Sequence, residues 1–251
     1  MQKINFLVVL GLLLALTGQA FAQEELKTMT VKLATNETYT ILNFATQRPT
    51  TKVVPGSLVT LFSENPLEKE CNDLSFSFTD KYSFVAEGYM LYCWQRLIHV
   101  LVPNNISGSR VELRIISQNI PSEPITAELV SHDPKIIVID RALFYEDGLV
   151  EHQDGHLVSR ARPARPGETL NVYMTGLGHP LEFVLATVGG IDVQIIDAGK
   201  APGHYGGWGF DRVVLRVPNS ITGDLPLIVS SGPLNRQIQS NRVRLFVRQP
   251  E

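Results

Sequence analysis

One eight-residue phrase occurs twice in the chain and constrains the fold more than any other feature. Residues 102–109 read VPNNISGS, and residues 217–224 read VPNSITGD, 115 positions later. Proline cannot donate to a strand ladder, while Asn and Gly accept the backbone angles of tight turns. Each copy is therefore typical of a turn between two strands. The repeat predicts that one structural unit is present twice.

The segments that surround the two copies also correspond. An alternating apolar stretch precedes each copy, LIHVLVP at residues 97–103 and RVVLRVP at residues 212–218. Alternation of this kind is the pattern of a strand with one buried face. Because turn signals recur about every 8 to 12 residues and no segment shows helical periodicity, we expect an all-β chain of two tandem antiparallel sandwiches.

The N-terminus has the pattern of a secretory signal peptide. Lys3 precedes the apolar run FLVVLGLLLAL at residues 6–16, and the small-x-small triplet Ala-Phe-Ala ends at Ala22. A helix of that length spans about half of a bilayer core, so we expect cleavage after Ala22 and no membrane insertion afterwards. The predicted divisions are a signal peptide over 1–22, a first domain over 23–132 (module 1) and a second over 133–251 (module 2).

Export determines how the two cysteines are interpreted. Cys71 and Cys93 are the only pair in the chain, and disulfides persist in the compartments that exported proteins reach. We therefore predict a Cys71–Cys93 disulfide. The alternative is a redox or metal-binding thiol pair. Neither cysteine lies in a CxxC motif or has a histidine at ligand spacing beside it, so we expect no metal site there.

The charge balance argues against two classes of partner. Lys and Arg total 22 against 25 Asp and Glu, a formal net charge of −3. Proteins that bind nucleic acid usually carry a basic excess. We expect neither nucleic acid nor an anionic membrane as a partner.

Several motifs of module 2 carry a family resemblance. Residues 162–178 read RPARPGETLNVYMTGLG, residues 198–218 read AGKAPGHYGGWGFDRVVLRVP, and residues 223–232 read GDLPLIVSSG. This series resembles an uncharacterised, acidobacterial-type family of tandem C-terminal domains in secreted bacterial proteins, whose units are similar to immunoglobulin-like modules of the IPT/TIG type. The resemblance implies immunoglobulin-like sandwiches and an extracellular location, and it implies no activity. Where relatives have a Gln-x-Asn pair before Val-Pro, this chain differs in both modules.

The segment EHQDGH at residues 151–156 is the best local candidate for a catalytic or metal site, with His152, Asp154 and His156. Imidazole and carboxylate groups suit a divalent metal. The alternative is a β-hairpin whose Asp-Gly pair forms a two-residue type I′ turn, with Gln153 facing His156 and the two histidines on opposite faces. We favour the hairpin. The chain has no GxSxG nucleophile elbow, HExxH zinc-protease motif, phosphate-binding P-loop or dinucleotide-binding fingerprint. We therefore expect no cofactor and no enzyme activity.

The glycine-rich segment GHYGGWGF at residues 203–210 is the candidate binding loop. Exposed rings provide contact area at low entropic cost and suit sugars or protein partners. The residues concerned are His204, Tyr205, Trp208 and Phe210. The alternative is that the rings pack into the sandwich. This alternative is favoured because a second aromatic stretch, YMLYCWQR at residues 89–96, is also predicted to be a loop and occupies the equivalent place in module 1.

Two functional hypotheses follow. The first is a secreted or cell-surface, non-enzymatic protein that binds an extracellular or envelope protein, or another copy of itself. The second is a carbohydrate-binding accessory protein that uses the glycine-aromatic loops to hold a polysaccharide. A hydrolase with a dispersed active site is a remote third, since sandwiches do carry grafted sites without local motifs.

Overall fold

The computed structural model describes residues 30–32, 38–64, 71–141, 146–178, 181 and 183–249. The predicted signal peptide lies outside these residues. Across the described part of the chain, no helix is long and apolar enough to cross a membrane. The two modules are almost entirely β-structure, as the alternating sequence pattern predicts.

Module 1 is built from ten described strands in two sheets that share one long strand. The first sheet has the order β1-β2-β4-β7-β6, and the second has the order β6-β5-β8-β10-β3, with β9 paired to β8. A short 3-10 turn, η1 (Cys71–Asp73), precedes β5. The strands are β1 (Thr30–Lys32), β2 (Thr38–Asn43), β3 (Lys52–Val53), β4 (Leu58–Ser63), β5 (Leu74–Asp80), β6 (Val85–Trp94), β7 (Leu97–Leu101), β8 (Arg110–Ser117), β9 (Ile120–Pro121) and β10 (Ile125–Leu129).

Module 2 repeats this plan with separate sheets. The first sheet has the order β11-β15-β19-β18, with β14 also paired to β15, and the second has the order β12-β13-β22-β20-β16-β17, with β21 paired to β20. One short helix, α1 (Gly203–Gly207), lies between β18 and β19. The strands are β11 (Lys135–Ile136), β12 (Val138–Arg141), β13 (Glu146–Gly148), β14 (Val150–His152), β15 (Thr169–Thr175), β16 (Phe183–Val188), β17 (Ile191–Asp192), β18 (Gln194–Lys200), β19 (Asp211–Arg216), β20 (Gly223–Gly232), β21 (Ile238–Gln239) and β22 (Val243–Val247).

The strand order of both modules is that of an immunoglobulin-like sandwich. In module 2, β11, β15, β19 and β18 correspond to strands A, B, E and D, and β16, β20 and β22 correspond to C, F and G. In each module a short early strand pairs in parallel with the last strand, β3 with β10 and β13 with β22. The predicted fold class, two tandem antiparallel immunoglobulin-like sandwiches, is confirmed.

The repeated phrase closes one end of each sandwich. In module 1 the backbone N–H of Gly56, in a Pro-Gly turn, donates to the carbonyl of Val102, and in module 2 Gly167 donates likewise to Val217. Both glycines have positive φ, and a Cβ on either would collide with the asparagine of the phrase, Asn104 or Asn219. The isoleucines that follow, Ile106 and Ile221, are buried. Val-Pro-Asn and Pro-Gly therefore recur together because they form one packed turn.

Each sandwich has its own hydrophobic core, formed by the inward faces of its two sheets. The largest fully buried side chains of module 1 include Phe76 and Phe78 of β5, and those of module 2 include Leu170 and Met174 of β15. A third cluster of buried side chains contains residues of both modules. Module 1 and module 2 are thus packed against each other.

Candidate functional site

The predicted binding loop lies between β18 and β19 and folds back on itself. Gly203 and Gly209 have positive φ, and a Cβ on Gly206 would collide with the carbonyl of Ala201. The backbone N–H of Ala201 donates to the carbonyl of Phe210 over 3.0 Å. The glycines therefore allow a compact turn that ends on Phe210. The His204 side chain lies outside the described residues.

The aromatic rings of this loop contact one another and the junction between the modules. Phe210 is only 3% exposed, and its ring centroid lies 5.3 Å from that of Phe44 in module 1. Tyr205 and Trp208 are half-buried, with ring planes 76° apart, so they do not offer one flat platform. This arrangement favours the packing alternative for Tyr205, Trp208 and Phe210. We name the apolar cluster they share with Phe44 and Ala45 the junction cluster.

Polar contacts complete the junction. The Lys200 ammonium donates to the carbonyl of Gly56 in module 1 over 2.9 Å and pairs with the Asp211 carboxylate over 2.8 Å. At another point the Val138 N–H donates to the Ala45 carbonyl over 3.0 Å. These contacts and the junction cluster hold the two modules in one relative orientation.

Titratable groups near the junction have shifted pKa values with structural causes. Burial raises the pKa of the Tyr173 and Tyr205 hydroxyls, and the neighbouring Glu151 carboxylate raises both further. Burial also raises the pKa of Asp211, while the Lys200 ammonium and the N–H of Leu177 act in the opposite direction. Each of these groups has hydrogen-bond or ion-pair partners within module 2.

The second aromatic stretch is a strand rather than the predicted loop, because β6 continues to Trp94 before turning into β7. Its Tyr92 ring stacks on His99, at a centroid distance of 5.2 Å, and Phe44 contacts the same imidazole edge-on. The His99 Nδ1 lies 3.1 Å from the Thr60 hydroxyl oxygen. Burial lowers the pKa of His99 to about 4. His99 is therefore a neutral core residue at physiological pH.

The predicted disulfide is present. Cys71 in η1 is bonded to Cys93 near the end of β6, with their Cα atoms 6.1 Å apart. Antibody-type domains instead carry their disulfide between the B and F strands. Here the bond ties the segment before β5 to the strand that the two sheets share. The thiol-pair alternative is excluded.

The hairpin at residues 150–158 exists, but its register differs from the prediction. The His152 N–H donates to the His156 carbonyl, and Glu151 lies opposite Leu157, so His156 faces His152 rather than Gln153. Of the Asp-Gly pair only Gly155 has positive φ, whereas a type I′ turn requires it at both residues. The turn is a three-residue loop with a glycine bulge.

The histidines of this hairpin do not form a metal site. His152 is buried, with Nδ1 2.7 Å from the Glu168 carboxylate, while the His156 side chain is exposed beside Asp154. Among the residues whose placement is described, no group of three His, Cys, Asp or Glu side chains could hold a metal ion. The Glu168 carboxylate also accepts from the Arg165 N–H, so this pair orders the loop before β15.

The Thr-Gly-Leu-Gly motif, residues 175–178, contacts residues 131–133 in the segment that joins the modules. The Asp133 N–H donates to the Gly176 carbonyl over 2.9 Å, and His132 Nδ1 lies 2.7 Å from the Leu177 carbonyl. Gly176 and Gly178 have positive φ, and a Cβ on either would collide with this segment. The motif is therefore a seat for the linker between the modules.

Two exposed sheet faces were missed by the sequence analysis. The outer face of the second sheet in module 2 presents Phe183 and Leu185 of β16, which are 55% and 48% exposed. Their cross-strand neighbours on β20 are Gly232 and Ser230, so the two apolar side chains stand beside small ones. The corresponding face of module 1 is polar and is described below.

The sequence contains a signal for the apolar face. In a two-layer sandwich a strand alternates apolar and polar residues, because one face is solvated. Residues 183–188 read FVLATV, in which Phe183 and Leu185 stand at the positions where polar residues belong.

The chain resembles known proteins in its fold only. No protein-family model matches the chain, and no curated protein matches it. Solved structures that resemble it include a surface glycan-binding protein from a Bacteroides ovatus mixed-linkage glucan utilization locus, solved with a heptasaccharide (10% identity, TM-score 0.39, covering 83% of this chain and 44% of that one). Others are a surface glycan-binding protein from Prevotella bryantii (11% identity, TM-score 0.27, 88% and 42%) and the titin immunoglobulin tandem A164–A165 (9% identity, TM-score 0.24, 79% and 94%).

Because the chain spans less than half of the two glycan-binding proteins, and all three TM-scores lie below 0.5, these likenesses say nothing about what this chain binds. The fold assignment rests on the strand order: two tandem immunoglobulin-like sandwiches.

Proposed function

We propose that the chain is a secreted, non-enzymatic binding protein that contacts another protein at the cell envelope or outside the cell. The observation that carries the proposal is the outer face of β16, where Phe183 and Leu185 are both about half exposed. Adjacent large apolar side chains that form one exposed patch on a sheet face mark contact sites in soluble proteins, whereas single exposed apolar residues do not.

The surroundings of this pair suit a protein partner. Gly232 and Ser230 on β20 have no or small side chains, so they do not cover the two apolar side chains beside them. On the other side of β16, β17 is only two residues long. A flat apolar centre bordered by polar residues has the anatomy of a protein–protein interface. The partner is an envelope or extracellular protein, or a second copy of the chain.

The buried ionisable groups support a non-enzymatic role. Asp211 is paired with Lys200, His152 with Glu168, and the Asp80 carboxylate with backbone N–H groups of its own hairpin. These groups hold turns and the junction together, whereas a hydrolase would need carboxylate or imidazole groups that converge on a cleft.

The disulfide supports an extracellular location, because such bonds persist in oxidising compartments. Together with the pattern of residues 1–22, it is the basis for proposing export. We further propose membership of the bacterial family that the module 2 motifs resemble, since its Thr-Gly-Leu-Gly glycines have a clear structural role as the linker seat.

The experiment measures co-sedimentation of the mature chain with the envelope fraction of its native host, before and after protease treatment of that fraction. We expect binding that protease abolishes and that Phe183→Asp weakens at least about tenfold, because a charge would be buried against the partner. Ile120→Asp is the matched control, since Ile120 is an exposed apolar residue on β9 of module 1. Equal binding by both variants, or Phe183-dependent binding that survives protease, would refute the proposal.

A further inference from the structure

The outer face of the second sheet in module 1 differs in chemistry from that of module 2. Strand β5, which lies between β6 and β8, points Ser75, Ser77 and Thr79 outward, while Phe76 and Phe78 are buried beneath. Three small hydroxyl side chains thus form a row along this strand. At about 3.3 Å per residue the row is about 13 Å long.

Larger side chains border this row on both sides. Ser77 lies opposite Glu87 of β6 and Arg114 of β8. Thr79 lies opposite Val85 and Glu112 in the same way, so a column of short side chains lies between two columns of longer ones. The face is therefore a shallow trough with a hydroxyl floor. Its walls carry carboxylates, guanidinium groups and the apolar side chains of Val85 and Ile116.

Aromatic side chains lie at both ends of the trough. At one end the β5–β6 turn carries Tyr82 and Phe84, which are 67% and 46% exposed. At the other end Tyr89, also 67% exposed, follows Glu87 on the same side of β6, where that strand leaves β5 for β7. A ligand that spans the trough would meet flat apolar rings at each end and polar groups between them.

The turn with two of these rings is held rigid. The Asp80 carboxylate accepts the N–H groups of Tyr82 and Phe84, over 2.8 and 3.1 Å, and contacts the N–H and hydroxyl of Ser107. Burial alone would raise the pKa of this carboxyl, but the hydrogen bonds hold it below its usual range. Such preorganisation lowers the entropic cost of binding.

We propose that this trough, formed by the outward residues of β5, β6 and β8 and by Tyr82, Phe84 and Tyr89, binds a neutral oligosaccharide. Sugar rings present hydroxyls at their rims, which hydroxyl, carboxylate and guanidinium groups can match, and C–H faces, which pack on aromatic rings. The outward side chains of β6 and β8 include two carboxylates, Glu87 and Glu112, and two guanidinium groups, Arg110 and Arg114. These charges balance and give no positive excess for a phosphate or an acidic polysaccharide. The hydroxyl floor suits an apolar protein surface poorly, in contrast to the face of module 2.

The proposal adds a ligand to the protein-binding function and rests on a different module. Calorimetric titration of the mature chain with cellohexaose, xylohexaose and mannohexaose tests it. We expect at least one of them to bind with Kd below about 1 mM, at least about tenfold more weakly in Tyr89→Ala and not measurably in Ser77→Arg, which fills the trough. Both positions are solvent-accessible, and unchanged thermal midpoints will show that the variants fold.

Phe183→Ala is the matched control, because it removes an exposed ring from the corresponding face of module 2 and should leave sugar binding intact. Failure of all three sugars to bind, or equal binding by wild type, Tyr89→Ala and Ser77→Arg, would overturn the trough proposal. Neither result bears on capture by the envelope fraction, which depends on Phe183, so the two proposals fail separately.

Discussion

His99 shows how one buried side chain makes the stability of module 1 depend on pH. Its imidazole lies between Tyr92 and Phe44 and hydrogen-bonds to Thr60. Burial lowers its pKa from the usual 6.5 to about 4. The unfolded chain therefore takes up a proton at higher pH than the folded chain does.

As a result, the free energy of unfolding should be highest above pH 6.5 and should fall by up to about 3 kcal/mol as the pH drops to 4. Urea unfolding of wild type and His99→Asn at pH 7 and pH 4 measures this, because Asn keeps a polar group near Thr60 and cannot titrate. The pH-dependent loss should be smaller in the variant by about that amount. Identical losses would show that His99 does not titrate as its burial implies.

At the scale of elements, the sequence pattern predicted the strands beside the repeated phrase but not every connection. Alternation located β7 and β19. In β19 the outward side is partly exposed, whereas in β7 both sides are largely buried, because His99 packs between Tyr92 and Phe44. The turn of residues 152–156 was predicted one residue out of register, since Asp-Gly is compatible with both a two-residue turn and a three-residue turn with a bulge. Local sequence does not decide between them, whereas the pairing of Glu151 with Leu157 does.

The candidate site was less predictable than the fold. The disulfide followed from composition and compartment. The burial of Phe210 could not be predicted from the sequence, because it depends on contact with Phe44, which is far away in the chain. The trough of module 1 depends likewise on the register between β5, β6 and β8, which single-strand patterns do not specify.

The contact between the Thr-Gly-Leu-Gly motif and the linker gives a prediction at this scale. Gly176→Ala should destabilise the protein by about 2 kcal/mol or more, because the residue has positive φ and its Cβ would collide with the Asp133 backbone. Gly207→Ala is the control, since Gly207 has open space around its Cβ position, and its effect should stay within about 0.5 kcal/mol. Thermal unfolding measures both, and similar midpoints for the two variants would contradict the role of the motif as a linker seat.

At the scale of the whole molecule, the junction sets the relative position of the two modules. Modules joined by a short linker move relative to each other unless a hydrophobic interface holds them. Phe210, Phe44 and Ala45 form such an interface. The two proposed binding faces are therefore held at a fixed angle to each other.

Removing the ring at the centre of the junction should release this constraint. We expect Phe210→Ala to cost about 3 kcal/mol and to increase the maximum dimension of the molecule in small-angle X-ray scattering. Phe246→Ala is the comparison, because Phe246 is equally buried in β22 but packs against Arg160 and Arg244. An unchanged scattering profile for folded Phe210→Ala would show that the junction cluster does not hold the modules together.

The central claim is that the chain binds a protein through the outer face of β16 and β20. Hydrogen–deuterium exchange of the mature chain, alone and with the solubilised envelope proteins that it captures, tests this directly. The account predicts slower exchange in peptides that cover residues 183–188 and 223–232 and unchanged exchange across β5 and β6. Protection confined to module 1, or no protection anywhere, would contradict it.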